Sequence, residues 1–141
     1  MPLYTISTPA PLTAQTRERL ARAVVDIHCG LTAAPPTFVN VMFSHGLPIR
    51  RHLQAHMLAN VRKGRSASTN SELREQMAQS LSEILAIESA AVEVAMLEVP
   101  ARWVMEGGVV LPEPGEEADS KWGGEVAPHP DQYQPAAAAG E

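Results

Sequence analysis

Leu20-Ala21-Arg22-Ala23-Val24-Val25-Asp26-Ile27 and Met77-Ala78-Gln79-Ser80-Leu81-Ser82-Glu83-Ile84 lie 57 positions apart. Laid over one another they set Leu20 on Met77, Ala21 on Ala78, Val24 on Leu81 and Ile27 on Ile84. Apolar residues three and four apart share one face of an α-helix. In the first stretch Leu20, Val24, Ile27, His28 and Leu31 continue that face, and the spacing predicts a helix from about Thr13 to Gly30. Thr13 is a suitable N-cap, while Gly30 and the Pro35-Pro36 pair end it. Thr69-Asn70-Ser71-Glu72 reads as a capping box for the second helix, which buries Leu73, Met77, Leu81, Ile84 and Leu85.

Strand-forming stretches flank both helices. Leu3 to Thr8 precedes the first, and Thr37-Phe38-Val39-Asn40-Val41-Met42-Phe43 follows it with β-branched and aromatic bias. Leu53 to Val61 precedes the second helix and Ala91 to Val99 follows it. The order is β-α-β, a linker at 44–51, then β-α-β again. A helix of this length carries the chain back to form a parallel strand. The expected fold is therefore α+β in two layers, with duplicated β-α-β units forming one four-stranded mixed sheet and both helices on one face. The other face stays uncovered, and a small domain commonly covers such a face with a further copy of itself. Oligomerisation is expected.

The chain of 141 residues is the length of one domain. With 45% hydrophobic but only 4% aromatic residues, aliphatic side chains and alanine must fill the core. The expected organisation is a domain over 1–122, its two units at about 2–45 and 52–99. A Pro/Ala/acid-rich tail over 123–141 is expected to be disordered. Trp122 is a large aromatic that can pin the near part of the tail. From Glu113 to Glu141 seven acids and one lysine give −6, whereas the preceding residues carry nine acids and ten bases, +1. A near-neutral body argues against a nucleic-acid partner. The lone Cys29 allows no internal disulfide, and neither a leader nor an apolar run of membrane-spanning length is evident. The expectation is a cytoplasmic protein without a membrane partner.

Four polar features need explaining. Removal of Met1 from the small Pro2 leaves a secondary amine at the start of an ordered strand. Such an α-amine titrates near pH ~8 and is easily tuned into a base or an acid at neutral pH. His28 on an apolar helix face is either a satisfied core histidine or a donor facing a pocket at the sheet edge. Arg62-Lys63-Gly64-Arg65 is either a solvated basic turn or a clamp for a carboxylate or phosphate. Glu106, before Gly107-Gly108, is either a turn residue or a general base on flexible backbone. A metal site at His45, His52 and His56 is disfavoured, because 52 and 56 in one strand stand ~13 Å apart.

In order and spacing these positions resemble the tautomerase superfamily and, within it, the cis-3-chloroacrylic acid dehalogenase group. The carriers are Pro2-x-Tyr4, Asp26-Ile27-His28-Cys29-Gly30-Leu31-Thr32, Arg62-Lys63-Gly64-Arg65-Ser66, Glu98-Val99-Pro100, Glu106-Gly107-Gly108 and Leu111-Pro112-Glu113-Pro114-Gly115. The resemblance runs from Pro2 to about Trp122. It implies a homotrimer acting without a cofactor or metal on a small carboxylate substrate. It also implies that Arg62, Arg65 and His28 hold the substrate carboxylate, Glu106 activates water for addition to a C=C bond, and Pro2 protonates the adjacent carbon. Tautomerases of the superfamily run the amine as a base between enol oxygen and carbon. Where efficient dehalogenases carry a tyrosine, alignment on Glu98-Val99-Pro100 sets Ala95 here. Enol–keto tautomerase activity therefore ranks above cis-3-haloacrylate dehalogenation or hydration. A non-catalytic trimeric binding protein is the reading from another class.

Overall fold

A computed structural model describes residues 1–116; the expected tail, and Trp122 with it, lie outside the described residues. The chain divides into two units, Met1–Pro100 and a second beginning at Ala101.

The first unit runs β1 (Leu3–Thr8), α1 (Ala14–Thr32), β2 (Asn40–His45), β3 (Ala55–Arg62), α2 (Ala67–Leu85) and β4 (Val92–Val99). Its four strands form one mixed sheet in the order β2-β1-β3-β4. Strands β1 and β2 are parallel, as are β3 and β4, while β1 and β3 join the halves antiparallel. Side chains alternate across a strand, so one face is set by Tyr4, Ile6, Met57, Ala59 and Val61. These pack under Leu20 and Val24 of α1 and Leu73, Met77 and Leu81 of α2 in one core. Both helices thus cover the same face. On the other face Met42 and Leu97 remain 50% and 54% exposed.

The repeat holds in its elements, but its period is 53 rather than 57. Ala14 and Ala67 open the helices, Thr32 and Leu85 end them, and the N-caps Thr13 and Ser66 match as well. The 3-10 turns at Pro36–Phe38 and Ser89–Ala91 keep the same offset. Four residues is about one helical turn, so a slip from 53 to 57 leaves the apolar faces in register and is invisible to periodicity.

Several expected boundaries move accordingly. Helix α1 passes through Gly30 and ends at Ala33, which takes the left-handed conformation (φ 56°) and donates its N–H to the Cys29 carbonyl. Ala86 ends α2 in the same way, at φ 53°. Thr69 is not the cap of α2: Ser66 is, its hydroxyl accepting from the Thr69 N–H at 3.1 Å. Each residue added upstream gains a backbone bond, so the earlier of two possible caps prevails. Pro36 holds residues 36–38 in a 3-10 turn, which delays β2 to Asn40. Strand β3 starts at Ala55, so His52 lies ahead of it in a turn, outside the strand assumed for the His52–His56 spacing.

At the 53 offset Tyr4 matches Met57 and His28 matches Leu81. All four are buried. The first half therefore holds a polar pair, Tyr4 Oη to His28 Nδ1 at 2.6 Å, where the second half is apolar.

The second unit contains a 3-10 turn at Ala101–Trp103 and a small hairpin, β5 (Met105–Glu106) and β6 (Val109–Val110). Gly107 and Gly108 both take positive φ, 58° and 80°, as a two-residue hairpin turn of this hand requires. The Arg102 backbone N–H donates to the Glu113 carboxylate at 3.2 Å and its Nε–H at 3.1 Å, and these contacts hold that carboxyl below its usual range.

The repeat supplies its own control for stability. Removing one member of a buried hydrogen-bonded pair costs about 1–3 kcal/mol, whereas replacing both by apolar groups is close to neutral. Tyr4→Met and His28→Leu, the residues of the second half, should each destabilise on that scale in urea unfolding. The double variant should return to within about 1 kcal/mol of the parent. Burial holds the His28 pKa down to about 4 against 6.5 for the free group. The unfolded chain then takes the proton first, so the parent should lose stability as pH falls from 6.5 toward 4, and the double variant should lose that slope. Additive destabilisation in the double variant would contradict this account.

Candidate active site

Pro2 is buried immediately before the first residue of β1. Its carbonyl accepts the Asn40 N–H at 3.0 Å, which fixes the chain start against β2. The antiparallel register pairs Leu3 with Asn60 and Tyr4 with Ala59. Extended by one residue it sets Pro2 opposite Val61, beside the last residue of β3, Arg62. The pairing that joins the two halves thus delivers the basic turn to the amino terminus.

Arg62 closes β3, Gly64 turns the chain at φ 107°, and Arg65 precedes the Ser66 cap. Arg65 Nη1 donates to the Arg62 carbonyl at 3.1 Å, which pins the guanidinium to the turn. Burial lowers the Arg65 pKa; Tyr4 opposes this, Arg62 adds to it, and Glu98 opposes it. Glu98 is itself held by Asn70 Nδ2 at 3.1 Å.

His28 is fully buried on the last turns of α1, hydrogen-bonded to Tyr4 and in edge-on contact with its ring, the centroids 5.7 Å apart. Desolvation, then the Arg65 charge, then the charge of the Met1 amino group lower its pKa to about 4. At neutral pH it is an uncharged imidazole. The His28 Nε2 is buried and has no hydrogen-bond partner among the described residues. Burial raises the Tyr4 pKa well above its usual value, so the phenol keeps its proton.

The first unit therefore brings the amino terminus, Tyr4, His28 and Arg65 into one electrostatic neighbourhood, with Arg62 beside Arg65. Glu106 is in the second unit, on β5 beside the Gly107-Gly108 turn and paired with Val109. Ala95 pairs with Leu58 in the middle of β4. Its neighbours Val94 and Met96 pack on the core, so Ala95 faces the sheet surface away from the helices. In the sequence Tyr4 is legible only as part of Pro2-x-Tyr4, with no task attached. The two-residue spacing that puts it on the Pro2 face is the available signal.

The positions related to these by the repeat carry none of this chemistry. Ala55 stands where Pro2 does, Leu81 where His28 does, and Pro9 and Leu12 where Arg62 and Arg65 do. A cleft of about 320 Å³ near Leu47, Pro48, Ile49, Arg50, Arg51 and Leu53 lies at that end, remote from Pro2 along β1. Arg50 is engaged by Glu93 at 2.9 Å and His56 approaches the same carboxylate at 3.5 Å. No helix among the described residues is long and apolar enough to cross a membrane.

No curated protein matches the chain. Among solved structures, N1, a member of the cis-3-chloroacrylic acid dehalogenase family, is 26% identical with a TM-score of 0.72, over 83% of this chain and 88% of that one. Ps01740 is 27% identical with a TM-score of 0.67, over 74% and 99%. A fused 4-OT described as a symmetric trimer shares the fold at 17% identity and a TM-score of 0.69, over 80% and 98%. Residues 1–126 match the family Tautomerase_3, described as "Putative oxalocrotonate tautomerase enzyme". With that match over most of its length, and with the fold and kinship of the cis-3-chloroacrylic acid dehalogenase group, the chain belongs to the tautomerase superfamily.

Proposed function

We propose that the chain, once Met1 is removed, uses the secondary amine of Pro2 to transfer a proton on a small unsaturated or enolisable carboxylate, without a cofactor. The observation that carries this reading is the β1–β3 register, which sets Pro2 opposite Val61 and so beside Arg62, while Tyr4, two residues along the same strand, is bonded to His28. Arg62 and Arg65 hold the carboxylate through charge-assisted hydrogen bonds, and His28 adds a contact from α1. Fixed positive charge nearby favours the neutral, basic form of the amine. In enol–keto transfer Pro2 takes the enol O–H proton, those electrons close the carbonyl, and the C=C pair takes the proton back from the ammonium at carbon.

The similarity to N1 supports a second reading, cis-3-haloacrylate dehalogenation or hydration. Glu106 then accepts a proton from water as its oxygen adds to the C=C bond, and Pro2 protonates the adjacent carbon. The resulting halohydrin collapses to an aldehyde: its O–H electrons close the carbonyl as the carbon–halogen bond breaks, and halide and a proton leave. Ala95 offers no hydroxyl to help orient that water, so proton transfer ranks first. A homotrimer fits the uncovered sheet face, with Leu3, Met42 and Leu97 exposed on it, and the trimer formed by a fused 4-OT of the same fold.

Three measurements test these readings. Pro2→Ala should lower phenylpyruvate enol–keto turnover by at least ~100-fold, the lower end of what a positioned acid–base group contributes, with unfolding unchanged. Parent-level turnover would sink the assignment, and a chain that retains Met1 should be equally inactive. Arg62→Ala and Arg65→Ala should each raise KM for carboxylate substrates roughly ten- to a hundredfold through loss of one charge-assisted contact. Unaltered affinity in both would reduce the pair to a solvated turn. Leu97→Glu puts a charge on the uncovered face and should convert a trimer to single chains in sedimentation; a parent that sediments as one chain refutes the assembly.

A further inference from the structure

We propose that Tyr4 is a positioning residue: its hydroxyl donates to His28 Nδ1, locks the imidazole as the Nε2–H tautomer, and so aims a neutral N–H donor at the substrate carboxylate. The inference rests on the carboxylate reading above and assigns a task to a residue that reading leaves idle.

The direction of the 2.6 Å bond follows from hydrogen accounting. If the phenol donates to Nδ1, its one proton is used and a single buried group remains, the Nε2–H. If instead Nδ1–H donates to the phenol, two buried groups remain: the phenol proton and the Nε2 lone pair. Neither has another partner among the described residues. An unmatched buried polar group is costly, so the arrangement with one remainder prevails. Charged forms of the pair are excluded by their surroundings. Burial and then the Arg65 charge keep the imidazole uncharged, and burial keeps the phenol protonated.

The remaining Nε2–H is then an enclosed donor without a partner among the described residues, on a ring that also feels the Arg65 charge, and an anion's oxygen would satisfy it. A neutral donor has a particular use here. A third cation next to Arg65 and the amine would favour the carboxylate but oppose protonation of Pro2 during turnover, whereas an N–H dipole binds oxygen without that penalty. The internal repeat shows that the fold does not need the pair: Met57 and Leu81 fill the matched positions with no polar atom beyond a thioether. The first half thus keeps a buried hydrogen bond that packing alone does not demand.

Nitrogen-15 spectra of histidine-labelled full-length chain read the tautomer directly, with His28→Gln identifying the resonances. The parent should show a protonated Nε2 and an accepting Nδ1, and the Nε2–H signal should move on titration with propionate, an unreactive carboxylate. Tyr4→Phe removes only the hydroxyl; it should release the imidazole to a tautomer mixture and weaken propionate binding and KM by about tenfold, with a smaller change in kcat. A protonated Nδ1 in the parent overturns the proposal without a variant. So does a Tyr4→Phe chain that binds propionate like the parent. If the parent is locked at Nε2–H yet propionate leaves that signal unmoved, the carboxylate reading has failed and the donor role fails with it, a result distinguishable from a wrong tautomer.

Discussion

The antiparallel pairing of β1 with β3 is the constraint on which the rest depends. Each β-α-β unit has one helix and two strands, too little to enclose a core. Joining the units through their first strands puts both helices on one face and merges their apolar stripes into a single core. The same pairing runs the start of β1 alongside the end of β3. It therefore decides the fold and also which residues meet at the amino terminus. Had the halves joined through β2 and β4, the core could still have formed, but Arg62 and Arg65 would not adjoin Pro2.

Much of this was legible because helices announce themselves by period and strands by composition. Both helices, all four main strands, their order and the one-sided helical layer follow from Leu20, Val24, Leu73, Met77 and the β-branched stretches around them. What failed were the phases and the ends. A helix tolerates a slip of four residues without turning its face, so 57 looked as good as 53. Gly30 looked like a terminator, yet the helix passes through it, and an alanine at Ala33 takes the left-handed turn that glycine usually takes. Ser66-Ala67-Ser68-Thr69 offers several capping hydroxyls, and only backbone competition selects Ser66.

The site was legible residue by residue but not as an arrangement. His28 stood between core and function because periodicity reports burial and says nothing of hydrogen-bond direction. Tyr4 entered only as part of Pro2-x-Tyr4, and it is core: it is fully buried. Its second role depends on an atom 24 positions away, a distance no local pattern spans. The corrected period would have helped, since at 53 Tyr4 falls against Met57 and His28 against Leu81, a buried polar pair opposite two apolar residues. Once a repeat is placed in phase, its mismatches become a map of where packing is not the only demand.

Only one of the two sites related by the repeat can hold this chemistry, and the reason is covalent. A polypeptide has one amino terminus, and only there is a backbone nitrogen an amine. At Ala55, the position matched to Pro2, the nitrogen is a peptide amide with its lone pair delocalised into the carbonyl, so no side-chain substitution there could make it a base. A carboxylate clamp or a neutral histidine beside Ala55 would have no proton carrier to serve. Burying a histidine against its solvation costs stability wherever it has no task, and Leu81 avoids that cost. The asymmetry of the two related sites, with Pro2, Tyr4, His28, Arg62 and Arg65 matched to Ala55, Met57, Leu81, Pro9 and Leu12, is what a duplicated unit should show when its reagent is the end of the chain.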